Sequence, residues 1–230
     1  MRLAPLTLVL AATIAIAATP PPPAQVVELF QSKDCPACPA ARTNLDALAA
    51  RADVLALSYP VSFRAAAEWG TARAEFMRRQ SDYVAATGAG EVATPQMILN
   101  GRLAFVGSDA GEVAVTMARA TALEAAPRLV RQGASVVVTG GSPGGASARG
   151  AGGPLDLWLV EFSPQEVGEA SRAEGATHRN VVRDIRRLAR WSGGPLRVAL
   201  PAVAGDRGAA VLLQQAGLGA IVAALEVAAP

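Results

Sequence analysis

The residues best equipped for chemistry are Cys35 and Cys38, the chain's two cysteines, in the run Cys35-Pro36-Ala37-Cys38. Two thiols one helical turn apart can close on each other and reopen, which is the covalent step of thiol–disulfide exchange. A strand-to-helix junction is the right place for them. A sulfur at a helix start faces free backbone N–H groups and the positive end of the helix dipole, so its thiolate is stabilised and becomes a nucleophile at neutral pH. On this reading the helix begins at or just after Cys35, Cys35 attacks and Cys38 resolves. Pro36 suits the first helical turn, where its missing N–H costs nothing, and Pro39 is tolerated in that turn. Lys33 favours the thiolate and Asp34 opposes it. Two other readings stay open. An inert disulfide is ordinary in an exported protein, although so short a loop removes little chain entropy. A metal site needs two more ligands, or a soft ion such as Cu(I) that Cys35 and Cys38 can satisfy alone. The single histidine, His178, excludes a multi-histidine centre within one chain.

The elements that must position this pair are legible on both sides of it. Val26 to Phe30 reads as a strand, Ala40 to Arg51 as a helix with one apolar face, and Asp53 to Tyr59 as a second strand. Such a unit implies a parallel strand pair with a right-handed crossover. Phe63 to Thr87 reads as one or two helices, broken at Gly88-Ala89-Gly90. Thr94-Pro95 opens a strand that runs to Leu99. Proline at the start of a central strand is unusual, and a cis bond there would bring the Thr94 backbone close to the dithiol. Thr94, Pro95 and Pro36 are therefore the expected walls of a substrate groove. Asn100-Gly101 is a hairpin turn, Leu103 to Val106 returns, and Ser108-Asp109 caps a helix expected over Ala110 to Gln132 with a break or kink at Pro127.

After residue 132 the character changes to a small antiparallel β-unit. Ala134 to Thr139, Leu155 to Phe162, Arg197 to Pro201, Val211 to Gln215 and Ala220 to Val227 read as strands, and Gly140 to Gly153 as a flexible connector. His178 to Leu188 reads as either a helix or an extended arm. Glu28, on the first strand, is a candidate proton relay if it faces the core beneath the dithiol. Trp69, Trp158 and Trp191 read as packing, and the Arg183, Arg186, Arg187 and Arg190 cluster as a solvated face.

Composition removes several function classes. At 230 residues and 51% hydrophobic, the chain can build a real core and is not globally disordered. A net charge of +2 with 17% charged residues is too little for an electrostatic nucleic-acid footprint. Residues 1–24 read as a secretory signal: Arg2, an apolar run from Leu6 to Ala18, Ala15-Ile16-Ala17 as an A-x-A site, then Pro20 to Pro23. The run is short for a bilayer span, so cleavage and a periplasmic or secreted mature chain are expected rather than an uncleaved anchor. The next most apolar stretch, Ala209 to Ala229, is broken by Gln214, Gln215, Gly217, Gly219 and Glu226.

The order of these elements resembles the thioredoxin-like fold. More closely, the chain is similar to a bacterial exported family known as domain of unknown function 1223. The matching residues are Val27-Glu28-Leu29-Phe30 with Ser32, Cys35, Cys38 and Pro39; Thr94-Pro95-Gln96-Met97 with Asn100-Gly101; Phe105-Val106-Gly107-Ser108; and Asn180-Val181-Val182-Arg183 with Trp191. The resemblance implies a thioredoxin-like α/β domain, a central mixed sheet flanked by helices, with a C-terminal antiparallel β-rich extension. It implies no substrate. A His-Val-Asp-Tyr-Trp stretch usual in the family is replaced here by Pro60-Val61-Ser62-Phe63-Arg64, so no role of that His and Asp is carried over.

The expectation is thus a signal over 1–24, a thioredoxin-like domain over 25–132 and a β-rich extension over 133–230. The expected activity is that of an exported thiol–disulfide oxidoreductase acting on protein or small-molecule thiols and disulfides, with no cofactor beyond its own disulfide. The alternative is a non-enzymatic binding module, its Cys pair holding Cu(I) or forming an inert bond.

Overall fold

A computed structural model describes residues 22–62, 74–124, 126–141, 153–166 and 178–227. Most of the expected signal, Trp69 and most of the Gly140 to Gly153 connector lie outside them. In chain order the described elements are β1 (Gln25–Gln31), α1 (Cys38–Ala49), β2 (Val54–Pro60), α2 (Ala74–Thr87), β3 (Gln96–Leu99), β4 (Leu103–Phe105) and α3 (Ala110–Arg119). Then come β5 (Arg128–Gln132), β6 (Ser135–Thr139), β7 (Leu155–Glu166), β8 (His178–Trp191), β9 (Leu196–Ala199), β10 (Gly208–Gln215) and β11 (Ile221–Val227).

Eight strands form one mixed sheet in the order β11-β10-β7-β8-β2-β1-β3-β4, and β5-β6-β9 form a second, antiparallel one. The β1–β2 pair is parallel, as the strand–helix–strand pattern requires. The β3–β4 hairpin runs antiparallel beside β1, with Phe30 opposite Gln96. Its turn is Asn100-Gly101, both with positive φ (52° and 66°), the conformation that favours this pair in tight hairpins. A Cβ on Gly101 would lie 2.5 Å from the Gly219 carbonyl oxygen, so glycine is also needed for close approach.

That approach has architectural meaning. The β3–β4 turn touches the β10–β11 turn, and the Ile221 N–H donates to the Asn100 carbonyl at 3.0 Å. The large sheet therefore curls until its two ends meet. Strand periodicity then sorts side chains into three cores. Val26, Phe30, Leu57 and Tyr59 of one half and Val160, Val182 and Leu212 of the other share one cluster with Phe76 and Tyr83 of α2, which lies within the curl. On the outer face, Val27 and Leu29 pack with Ala41 and Leu45 of α1 and Val113 and Met117 of α3. Farther round, Leu155, Leu157, Val211 and Leu213 pack with Val136 and Val138 of the small sheet.

One expectation is corrected. The helix expected over Ala110 to Gln132 ends at Arg119; Asp109 caps it, accepting from the Glu112 N–H at 2.7 Å, but Arg128–Gln132 is a strand. A helix interior does not run through Pro127, and β5 instead pairs with β6 across Gly133-Ala134. Of the two readings of His178 to Leu188, the extended one holds: the stretch is the first part of the long strand β8. β8 pairs with β2 through Ser58 and Val181, so the central sheet runs on into the C-terminal strands.

Candidate functional site

The chain leaves β1 at Gln31 and returns in α1 at Cys38, and the intervening loop carries Cys35. Cys35 and Cys38 are joined as a disulfide, their Cα atoms 5.4 Å apart. The helix starts at Cys38, three residues after Cys35 and two before Ala40, where the sequence reading began its apolar face. Cys38 is its first residue and Pro39 its second, and the Cys38 N–H donates to the Cys35 carbonyl at 3.1 Å. The positive end of the helix dipole therefore lies at Cys38 itself, with Cys35 bonded one turn ahead. Cys38 is fully buried, whereas Cys35 is partly exposed between exposed neighbours Asp34 and Pro36. A partner molecule thus reaches Cys35 first.

Thr94-Pro95 is a cis peptide bond, as the sequence reading expected. It stands just before β3, and the Phe30–Gln96 pairing puts it beside the end of β1 from which the cysteine loop departs. Its loop is gripped from α2. The buried Gln80 amide donates to the Ala93 carbonyl at 2.7 Å and to Gln96 Oε1 at 3.1 Å, one contact on each side of the Thr94-Pro95 bond. Gln80 was not singled out in the sequence, because one glutamine in a helix carries no signal until its loop partner is known.

A second unforeseen residue is Arg42. It is 6% exposed, very low for an arginine, and sits one helical turn after Cys38 on the same face of α1. Helical side chains lean toward the N-terminus, the end of α1 at which the disulfide lies. Arg42 Nη1 donates to Gln31 Oε1 at 3.0 Å, which holds the charge between α1 and the end of β1. The spacing of a charged residue at Cys38+4 was the available clue.

One turn further along the same face is Asp46, which accepts from the Arg179 N–H at 3.3 Å at the start of β8. Burial pushes its carboxyl above the usual range, against the pull of that hydrogen bond and of the His178, Arg179 and Arg42 charges. His178, 9% exposed, therefore belongs to the α1–β8 junction, two turns from Cys38. The raised carboxyl makes the protonated form the better one in the fold. Its stability contribution is full below the unfolded pKa and is lost as pH rises through the folded value. Asp46→Asn should raise the melting temperature at pH 7, and the gain should vanish below about pH 4, as paired thermal melts will read.

Glu28 is fully buried, but on the α2 side of β1, opposite the face on which α1 packs. Arg79 Nε and Nη2 hold its two oxygens at 2.8 and 3.0 Å, and the Tyr83 hydroxyl donates to one of them. Gln214, from β10, accepts from Arg79 at 3.1 Å and donates to the Tyr83 oxygen at 2.9 Å. Burial pushes the Tyr59 and Tyr83 phenols well above their usual range. Although burial opposes it, the Glu28 carboxylate holds Arg79 firmly charged. The structure thus brings Cys35, Cys38, Pro36, Thr94 and Pro95 to one end of the sheet and sets Glu28 in an ion pair on its other side. The arginine cluster is solvated as read, with the Arg186, Arg187 and Arg190 side chains 39%, 51% and 50% exposed, while Arg186 and Arg190 pair with Glu161 and Asp156 and Arg187 lies 3.6 Å from Asp156. Among the described residues no three His, Cys, Asp or Glu gather as a metal site, and no helix is long and apolar enough to cross a membrane.

Residues 26–214 match the family described as a protein of unknown function (DUF1223). The chain is similar to the crystal structure of a protein from Agrobacterium tumefaciens, at 27% identity and a TM-score of 0.70, over 91% of this chain and 96% of that one. It also shares its fold with HBP35 of Porphyromonas gingivalis, at 12% identity and a TM-score of 0.52, over 90% of this chain and 76% of that one. No curated protein matches it.

Proposed function

This chain belongs to the DUF1223 family of proteins of unknown function, so its own residues must carry the reading, and we propose that it is an exported thiol–disulfide oxidoreductase with a thioredoxin-like core. The observation that carries the proposal is the Cys35–Cys38 disulfide at the β1–α1 junction, its first cysteine accessible and its second buried. The order β2-β1-β3-β4, with a cis Thr94-Pro95 opening β3, supports the thioredoxin-like part. The apolar run from Leu6 to Ala18 and the Ala15-Ile16-Ala17 pattern support export to the periplasm or beyond, a compartment in which disulfides persist.

In the reduced form the Cys35 thiolate attacks a substrate disulfide and expels one substrate thiolate, leaving a mixed disulfide. Cys38 loses its proton and attacks the Cys35 sulfur, expelling the second substrate thiolate and re-forming the Cys35–Cys38 bond. Two electrons pass from the dithiol to the substrate, and the reverse sequence oxidises a substrate dithiol. Substrates are protein or small-molecule thiols and disulfides, docked against Thr94, Pro95 and Pro36. No cofactor is required.

Equilibration of the mature protein in graded glutathione or dithiothreitol buffers tests this. A reduction potential between roughly −120 and −270 mV is expected; a value below about −300 mV would mark a structural bond and overturn the proposal. The buried Arg42 charge stabilises a thiolate on Cys38 and hence the reduced form. Arg42→Met is expected to lower the potential by about 30 mV for each 1.4 kcal/mol of that stabilisation, and to raise a thiol pKa in the same protein.

A further inference from the structure

We propose that Gln80 is a positioning residue for polypeptide substrates: from α2 it fixes the loop carrying Thr94-Pro95, against which a chain lies while its disulfide meets Cys35. The inference rests on the exchange reading above and adds to it the part that separates polypeptides from small disulfides. Gln80 is fully buried, where glutamine is uncommon. Its side-chain amide donates to the Ala93 carbonyl at 2.7 Å and to Gln96 Oε1 at 3.1 Å. Among the described residues no other hydrogen bond reaches Gly90 to Pro95, while the preceding Gly88 and Ala89 are tied to Val84. Pro95 has no N–H to add. One side chain therefore pegs the loop by its polar groups.

The peg stands on a rigid support. Arg79, the residue before it, is held by Glu28 of β1 and by Gln214 of β10. Sliding α2 along the sheet would break a buried ion pair, which is costly. The strand that anchors α2 through Glu28 is also the one that runs into the cysteine loop after Gln31, so β1 sets the spacing between the Thr94-Pro95 loop and the disulfide. The outer side of the loop is open: Ala93 is exposed and Thr94 partly exposed, with Pro95 and Gln96 buried behind them. A small disulfide reaches the partly exposed Cys35 without needing this loop. A polypeptide has to lie across the neighbouring surface, and there a displaced loop is felt. Without Gln80 the Ala93 carbonyl loses its partner, and turning out to water is its remaining way to be satisfied.

The test uses the reduced mature protein and two probes, hydroxyethyl disulfide and a disulfide-linked peptide dimer. Gln80→Met keeps the length of the side chain and removes both hydrogen bonds. It should raise KM for the peptide about tenfold with kcat changed less than about twofold. Its rate with hydroxyethyl disulfide and its equilibrium with glutathione should each change less than about twofold, because the cysteines and α1 are untouched. Gln96→Met removes one of the two acceptors and should raise the peptide KM about threefold; it carries the test if Gln80→Met does not fold. Urea unfolding gives the folded fraction of each protein, so that rates are compared per folded molecule. An unchanged peptide KM in both variants, an equal loss with both probes, or a glutathione equilibrium shifted about tenfold would each overturn the proposal and leave the exchange reading standing. A wild type inert to both probes would overturn the exchange reading, and this inference with it.

Discussion

Arg79→Met is expected to destabilise the fold by about 3–5 kcal/mol, a large part of what a domain of this size commands. The side chain it replaces is 4% exposed and binds a carboxylate that is fully buried. Methionine fills much of the volume but leaves Glu28 in the interior without its counter-charge, and an unpaired buried carboxylate is far costlier than a missing pair. The double variant Arg79→Met with Glu28→Gln should therefore lose much less than the sum of the two single ones. Urea unfolding of the four proteins reads the cycle. A loss below about 1 kcal/mol in Arg79→Met, the range of an exposed pair, would mean that the ion pair is not structural and that Glu28 is free for other work.

The second large effect concerns activity. Cys35→Ser should reduce dithiol exchange to the buffer background, because the accessible sulfur is the one that meets the substrate. Cys38→Ser should behave differently. It keeps the attacking thiol and removes the resolving one, so the reaction stops at the mixed disulfide and the substrate remains covalently attached to Cys35. Non-reducing gels after incubation with a disulfide peptide distinguish the two. Full activity in Cys35→Ser would end the exchange reading, and equal behaviour of the two variants would remove the division of labour.

Local patterns carried the N-terminal half well. The cysteine loop, the strands on either side of α1, the Asn100-Gly101 turn and the Asp109 cap each follow from residues close in sequence, where short-range chemistry decides the outcome. The C-terminal half was harder for a physical reason visible in β8. Bulges in its pairing with β7, between Leu157 and Trp158 and between Glu161 and Phe162, break the two-residue alternation that marks a strand. Its arginines look like a solvated helix face, yet Arg186 and Arg190 reach buried carboxylates supplied by β7. Arg128–Gln132 failed similarly, since its neighbours looked helical and its true partner, β6, was a matter of pairing. At the site, the cysteines and Thr94-Pro95 were legible by type and spacing. Gln80 and Arg42 were not, because their value comes from what the fold sets opposite them.

The way the last hairpin closes the sheet also sets an order of assembly. Glu28, Arg79 and Tyr83 emerge early from the ribosome, but Gln214, which completes their polar network, follows Arg79 by 135 residues. At usual synthesis rates that is a wait on the order of ten seconds. Until then the nascent chain holds a charged pair and two tyrosines that it cannot wall off, and the entropy of closing so long a loop is unrewarded. Its native state is therefore out of reach until translation is nearly done. A chain kept open for that long remains a thread, which is the form in which a polypeptide can still be passed through a narrow channel.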